Sequence, residues 1–300
     1  MKKENRPVYI KAIGMHLPNS PVSNEEMEEY LGLIGGKPSR AKERMLKQNG
    51  IKTRFYALDK SQQSTDSVAG MADKAIKDCL DKANDNKEEI ELLTAGTTQG
   101  DVPIPGFASM VHAEAKLPVC NIVSHQSVCS SGIMALKSAY LHILTGENDN
   151  AISCAADMPS RMFKASRFEK QPEIQEKGLP LDTDFLRWML SDGAGAMFLS
   201  DKPNPKGLSL EIEWIDVKSY ANSFEVCMYT GANKKKDGTI DQYWLDYPSF
   251  SDADADAAIN LKQDIKLVNN TVSLGVQHLF QLIEEGKVDP KRIDWLVCHY

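Results

Sequence analysis

The chain has 300 residues and a formal net charge of −7 at pH 7, and 42% of its residues are hydrophobic. These values fit one large or two medium folded domains with a buried core, and they give no electrostatic reason to expect a nucleic acid or an anionic membrane surface as a partner. The N-terminal segment lacks the apolar stretch of a secretory signal and no window approaches the roughly 18 unbroken apolar residues of a membrane helix, so we expect a cytoplasmic protein.

Strand-like and helix-like apolar patterns alternate along the chain, which predicts an α/β layered fold. Strands are predicted at residues 8–18, 90–98, 119–125, 150–157 and 196–200. Helices are predicted at residues 67–83 and 130–145, with Gly146 as the residue that ends the second one. Residues 158–190 and 219–258 mix charge, proline and aromatic side chains, and we expect them to run over the surface. Gly193 and Gly195 lack the third glycine of a dinucleotide fingerprint and predict a tight turn before the last strand.

Two segments of the chain resemble each other. The sequence "DNKEEIELLTAGT" at 85–97 is echoed by "DPKRIDWLVCHY" at 289–300, and an amphipathic helical pattern precedes both. This spacing predicts an internal duplication with a strand in each copy. Because the identity is low, chance similarity is the alternative. If the duplication holds, the second copy ends inside a strand, and we expect the 300 residues to be part of a longer polypeptide.

Cys129 stands apart from the other five cysteines, which are scattered and predict reduced thiols in small core positions. It lies where the predicted strand at 119–125 gives way to the helix at 130–145. The unpaired N–H groups and the positive dipole end of that helix would lower the pKa of the thiol and favour the nucleophilic thiolate. Small neighbours such as Ser130 and Gly132 leave room for a substrate carbonyl. The alternative is a small buried cysteine at a tight turn.

The segment "SVCSSGIMALKSAY" resembles the nucleophile region of the thiolase-fold condensing enzymes, especially β-ketoacyl-acyl-carrier-protein synthase III. Further segments are similar to that family in the same order along the chain: "YIKAIGMHLPNSPVSNEEMEEYL", "NGIKTRFYA", "LLTAGTTQGDVPIPG", "MLSDGAGAMFLSDKP" and "RIDWLVCHY". The resemblance implies a duplicated α-β-α-β-α layered fold. Residues 1–205 would form the N-terminal half, with an insertion near 158–190, and residues 206–300 an incomplete C-terminal half that stops after the histidine strand.

The resemblance also implies an activity, an acyltransferase reaction that ends in a decarboxylative Claisen condensation. Cys129 would take an acyl group from coenzyme A or an acyl carrier protein as a thioester, and its own amide would form part of the oxyanion hole. His299 would donate a hydrogen bond to the enolate oxygen that develops when a malonyl thioester loses CO₂. The family works as homodimers in lipid and fatty acid biosynthesis, without a cofactor or a metal. Since His125 and Cys129 have no second pair of ligands, the sequence itself predicts no metal site.

The sequence departs from the family pattern at several site positions. The asparagine that partners the histidine lies further downstream in the family and has no counterpart in these 300 residues. At the coenzyme A site, Arg44 and Gln48 occupy the positions of a tryptophan and an arginine, so adenine stacking is not expected. Ile104 matches a position, often phenylalanine, that crosses the dimer to form the floor of the acyl pocket. The shorter side chain predicts a deeper pocket.

Two other functions stay open on sequence alone. The chain could be a non-catalytic or degenerate synthase subunit that lacks the asparagine. It could also be a hydrolase that uses Cys129 and His299. A separate hypothesis assigns Arg161, Lys164 and Arg167, which recur every three residues, to the docking of an acidic carrier protein or a phosphopantetheine. A solvated helix face is the alternative for that strip.

Overall fold

The computed structural model describes residues 5–83 and 87–298. Its strands are β1 (Tyr9–His16), β2 (Val22–Ser23), β3 (Thr53–Arg54), β4 (Leu92–Gly96), β5 (Asn121–His125), β6 (Asn150–Asp157), β7 (Gly193–Ser200), β8 (Leu210–Glu211), β9 (Met228–Tyr229), β10 (Ala232–Lys234), β11 (Ile240–Tyr243) and β12 (Lys262–Gln263). Its α-helices are α1 (Met27–Leu31), α2 (Lys42–Asn49), α3 (Val68–Ala83), α4 (Phe107–Ala115), α5 (Ser131–Leu144), α6 (Ser160–Phe163), α7 (Pro172–Lys177), α8 (Leu181–Met189), α9 (Phe250–Ala255) and α10 (Ile265–Glu284).

The main sheet has the strand order β5-β4-β6-β7-β1-β8. Its strands β5, β4 and β6 run parallel, while β7 is antiparallel to both β6 and β1. Parallel neighbours bring their carboxyl ends to the same edge of a sheet. The segments that follow β4, β5 and β6 therefore converge, and one of them carries Cys129.

Helices cover both faces of this sheet. Side chains of successive strand residues point to opposite faces, and neighbours such as Leu92 and Leu93 accordingly belong to two different buried clusters. Leu93 packs with residues of α3 and α4, whereas Leu92 packs with Ala139 and Ile143 of α5. The result is a helix–sheet–helix arrangement that confirms the α/β layered class, with the cysteine helix α5 packed on one face.

Several predicted elements need correction. Gly193 and Gly195 lie inside β7 and not in a turn before it. The segment 158–190 is only partly a surface excursion, because α8 buries Trp188 completely and leaves Arg187 only 1% exposed. The guanidinium of Arg187 is tolerated there because it donates hydrogen bonds to the carbonyls of Phe163 and Leu31 at 3.1 and 3.2 Å.

Of the predicted second copy of the repeat, the described residues contain the helix but not the strand. Helix α10 forms over the expected region, but the described residues after Arg292 contain no strand. A strand requires a hydrogen-bonding neighbour, and this segment leaves Trp295 88% and Val297 94% exposed. The division of the chain at residue 205 stays a prediction. Within the described ranges, no helix is both long and apolar enough to cross a membrane.

Candidate active site

Cys129 lies at a sharp connection between β5 and α5. It occupies a single 3₁₀ turn, Val128–Ser130, and α5 begins at the next residue. The predicted strand, cysteine and helix are therefore confirmed in that order, and Gly146 follows the helix with a left-handed φ of 71°. Val128 itself has a φ of 49°, which is a strained conformation for a β-branched residue.

Three serines around the cysteine bind to one another and to the backbone. The Ser130 hydroxyl donates to the Ser127 carbonyl at 2.7 Å, and the Ser130 amide donates to the same carbonyl at 3.0 Å. The Ser127 amide donates to the Ser131 hydroxyl at 2.8 Å. The small residues thus do more than leave space for a substrate, because they hold the shape of the turn.

The electrostatic surroundings of Cys129 differ from the expectation of a lowered pKa. Solvent reaches the residue, yet the protein around the sulfur is dense enough that burial raises the pKa of the Cys129 thiol, and the negative charge of Asp157 raises it further. The amide of Cys129, which donates to its own sulfur, acts in the opposite direction. The thiol is accordingly accessible but mostly protonated at neutral pH, so a nucleophilic role requires its proton to leave during attack.

Asp157 is a buried carboxyl that the sequence analysis did not single out. It ends β6 and accepts hydrogen bonds from the Thr98 amide at 2.8 Å and from the Thr97 hydroxyl at 3.1 Å. Burial nevertheless dominates and raises the pKa of Asp157. Because β6 is parallel to β4, an aspartate at the carboxyl end of the predicted strand 150–157 could have been placed beside the site from sequence.

Cys227 is a second neighbour that sequence alone did not reveal. It lies close enough for its charge to raise the pKa of Cys129. The same residue lines a cavity of about 440 Å³ between the segment 218–227 and α10, together with Tyr220, Phe224, Leu274 and His278. A largely apolar cavity of this size can hold a small acyl group.

The predicted substrate-binding residues lie on the surface. Arg44 and Gln48 are exposed and, being four residues apart, share one face of α2, which packs against α8. A groove of about 780 Å³ next to α2 is lined by other residues, among them Arg40 and Lys47. Ile104 is 84% exposed in the loop that joins β4 to α4.

The remaining predicted residues give a mixed result. His299 lies outside the described residues, so its position relative to Cys129 stays a prediction. Arg161, Lys164 and Arg167 do not form a free basic strip. Arg161 pairs with Asp101 at 2.9 Å, and Lys164 and Arg167 donate to the carbonyls of Gln62 and Arg161. Among the described residues, no group of three or more His, Cys, Asp or Glu side chains could hold a metal ion.

Comparison with known proteins finds relatives that are similar to this chain in sequence and in fold. No protein-family model matches the chain. It is 28% identical over 191 residues to the β-ketoacyl-acyl-carrier-protein synthase III of Ehrlichia canis, covering 64% of this chain and 51% of that protein. A tetronic acid condensing enzyme superposes with a TM-score of 0.70 at 21% identity, over 96% of this chain and 77% of the other. The chain is a thiolase-fold relative of synthase III.

A solved synthase III supports the same fold. The 3-oxoacyl-acyl-carrier-protein synthase III of Pseudomonas aeruginosa superposes with a TM-score of 0.60 at 18% identity, over 88% of this chain and 66% of the other. The chain spans about half the length of the curated synthase III relatives it matches. The shared fold agrees with the thiolase-like α/β architecture implied by the nucleophile segment and the other family-like segments.

Proposed function

We propose that this chain is a synthase III-type condensing enzyme that loads an acyl group on Cys129 and then condenses it with a malonyl thioester. The observation that carries the proposal is the position of Cys129. Its solvent-accessible thiol lies on a strained turn at the carboxyl ends of parallel strands. Ligands of open α/β sheets bind at that edge. The similarity to synthases III supplies the reaction class.

In the first step the Cys129 sulfur attacks the carbonyl carbon of an acyl thioester. A new S–C bond forms, the bond to the carrier sulfur breaks, and the carrier thiol leaves with the proton that Cys129 has lost. Since the pKa of Cys129 is raised, the N–H groups at the start of α5 are needed to stabilise the thiolate as it forms.

In the second step a malonyl thioester would lose CO₂, and its enolate carbon would attack the acyl carbonyl on Cys129. The new C–C bond forms as the S–C bond breaks, which returns Cys129 as a thiolate. His299 would donate a hydrogen bond to the enolate oxygen. A donor of this kind contributes roughly 3 kcal/mol to the transition state.

Carrier-protein thioesters fit the exposed face of α2 better than coenzyme A. Arg44 and Gln48 offer charge and hydrogen bonding there but no aromatic ring for an adenine base. We further propose a homodimer in which a second copy covers β5. This strand is an edge of the sheet, its Ile122 is 42% exposed, and Val119 just before the strand is fully exposed.

The test is to incubate the protein with a panel of acyl-coenzyme A and acyl-carrier-protein thioesters and to weigh the peptide that contains Cys129. The expected result is an added acyl mass that is absent in Cys129→Ala and disappears when a malonyl carrier protein is added, with formation of a β-ketoacyl product. Loading without condensation would favour a non-catalytic or degenerate subunit. Release of the free acid would favour a hydrolase.

A further inference from the structure

The hydroxyl of Ser131 is the point where the Cys129 turn is joined to the sheet. Ser131 is the first residue of α5 and is only 2% exposed. Its oxygen accepts the Ser127 amide at 2.8 Å and lies 2.7 Å from the Val128 carbonyl and 3.0 Å from the Thr97 carbonyl, either of which can take its proton. One side chain therefore contacts the residues that precede Cys129 and the segment that follows β4.

The Thr97 segment is itself fixed to the neighbouring strand ends. The Thr97 amide donates to the His125 carbonyl at 3.1 Å, which ties it to the end of β5. The Thr97 hydroxyl donates to Asp157 at 3.1 Å, which ties it to the end of β6. Ser131 thus connects the Cys129 turn to a part of the molecule that cannot shift independently.

Val128 shows why such a connection is needed. Its φ of 49° lies in the left-handed region, which a β-branched side chain disfavours. A turn with this strain persists only when the surrounding contacts hold it. The two Ser131 contacts inside the turn, at the Ser127 amide and the Val128 carbonyl, are placed on either side of the strained φ.

We propose that Ser131 is a positioning residue that holds Val128 in its left-handed conformation and thereby fixes the sulfur of Cys129 at the start of α5 for acyl transfer. The proposal rests on the acyl-loading function of Cys129. It differs from a general packing role because it requires the effect of Ser131 to depend on the side chain at position 128.

A double-mutant cycle tests this dependence. Ser131→Ala is expected to slow single-turnover acylation of Cys129 by roughly 10- to 100-fold, the range that a small misplacement of a reacting group produces. Glycine adopts a positive φ without strain, so Val128→Gly should make the hydroxyl dispensable. In the Val128→Gly background, Ser131→Ala should then cost less than about threefold, a clear departure from additivity.

Ser130→Ala is the matched control, since its exposed hydroxyl donates to the carbonyl and hydroxyl oxygens of Ser127 and does not reach the sheet within the described residues. Ser130→Ala should slow acylation less than Ser131→Ala does. Its rate factor should be the same with valine or glycine at position 128. The same cycle is repeated with iodoacetamide as the probe of Cys129, read by peptide mass, because alkylation needs no acyl donor. If no thioester loads the unaltered protein, the proposed function fails, while the alkylation cycle still decides the role of Ser131.

Three results would overturn the proposal. The first is Ser131→Ala reacting as fast as the unaltered protein with both probes. The second is a loss on Ser131→Ala that is equally large with valine or glycine at position 128. The third is a Val128→Gly, Ser131→Ala protein that does not fold, because Ser131 would then support the whole fold. If Ser131→Ala alone does not fold, the comparison within the Val128→Gly background decides.

Discussion

Gly96, the last residue of β4, lies directly against the backbone of Ser131 at the start of α5. A Cβ added at Gly96 would come within 2.4 Å of the Ser131 carbonyl oxygen and 2.6 Å of its carbonyl carbon. Both atoms belong to the main chain and cannot rotate away. The absence of a side chain at Gly96 therefore sets how closely the cysteine helix approaches the sheet.

Gly96→Ala should displace the start of α5. Overpacking of this kind costs about 1–3 kcal/mol, so urea unfolding should show a loss of that order, together with at least tenfold slower labelling of Cys129. Gly100→Ala is the control, because its nearest neighbours lie 3.6 Å away and no strained φ is involved. Equal effects of the two substitutions would argue against a steric role of Gly96.

Asp157→Asn should lower the pKa of Cys129. The carboxylate raises that pKa, while asparagine removes the charge and keeps an oxygen for the Thr98 amide. The rate of iodoacetamide labelling should therefore rise at lower pH than in the unaltered protein, with burial still keeping the midpoint above the ordinary cysteine value.

The labelling is measured over a pH series by the mass of the Cys129 peptide, since the other cysteines react independently. Cys129→Ala gives the blank, and Ser153→Ala, a change on the same strand that alters no charge, controls for nonspecific loosening. An unchanged midpoint in Asp157→Asn would show that the carboxylate does not act on the sulfur.

The parts of the fold that follow from local pattern were predictable. In helix α3 the apolar residues recur at the spacing of a buried helix face, and β4 and β6 are short runs of mostly buried residues. The turn at Cys129 lies where the strand pattern of the sequence changes to a helix pattern. The helix at α10 was predicted for the same reason. A strand after Arg292 was not obtained, because strand formation depends on a pairing partner that the local sequence does not specify.

The polar part of the site was harder to predict. The contacts of Ser131 with Thr97, and of Thr97 with Asp157, join residues that are far apart in the sequence. The sequence showed the helix start that would lower the pKa of Cys129, but it could not show the burial that raises it. We expected Trp188 and Arg187 at the surface because the segment around them mixes charged and aromatic residues. Such a mixture does not show which side chains the fold buries.

Asp192 should make the folded protein less stable as the pH rises through the acidic range. Burial raises its pKa to about 6, although it accepts the amides of Ala57 and Ser160 at 2.7 and 2.9 Å. The folded state then keeps a proton that the unfolded state loses near pH 4, so the contribution to stability is full below pH 4 and is lost towards pH 6. The difference between the folded and unfolded pKa values of Asp192 corresponds to about 3 kcal/mol of unfolding free energy.

Urea unfolding at a series of pH values checks this, with Asp192→Asn as the comparison. The substitution lowers stability at every pH because it removes an acceptor, so the informative quantity is the change with pH within each protein. That change between pH 4 and pH 7 should be smaller in Asp192→Asn. The same pH dependence in both proteins would exclude Asp192 as its source.

Ile122→Asp should weaken the proposed homodimer. The side chain is 42% exposed on the edge strand β5, so a charge there is tolerated in a single chain but is costly in an apolar contact with a second copy. Sedimentation velocity should show a shift from dimer to monomer. Leu208→Asp, at a 78% exposed residue near the opposite edge of the sheet, is the control. A monomeric unaltered protein would contradict the dimer itself.

Ile104→Phe should shorten the acyl chains that Cys129 accepts. Ile104 is 84% exposed in the single chain, which is the state expected of a side chain that completes its pocket only in a partner subunit. A phenylalanine there would fill the space that the shorter isoleucine leaves, and each lost methylene contact is worth about 0.8 kcal/mol. Competition between short and long acyl donors, read as the mass on Cys129, should shift towards the short ones.

Val102→Phe in the same loop, 41% exposed, separates pocket depth from a general change of the loop. A chain-length preference that stays the same in Ile104→Phe, or an unaltered protein that takes acetyl groups alone, would refute the deeper pocket.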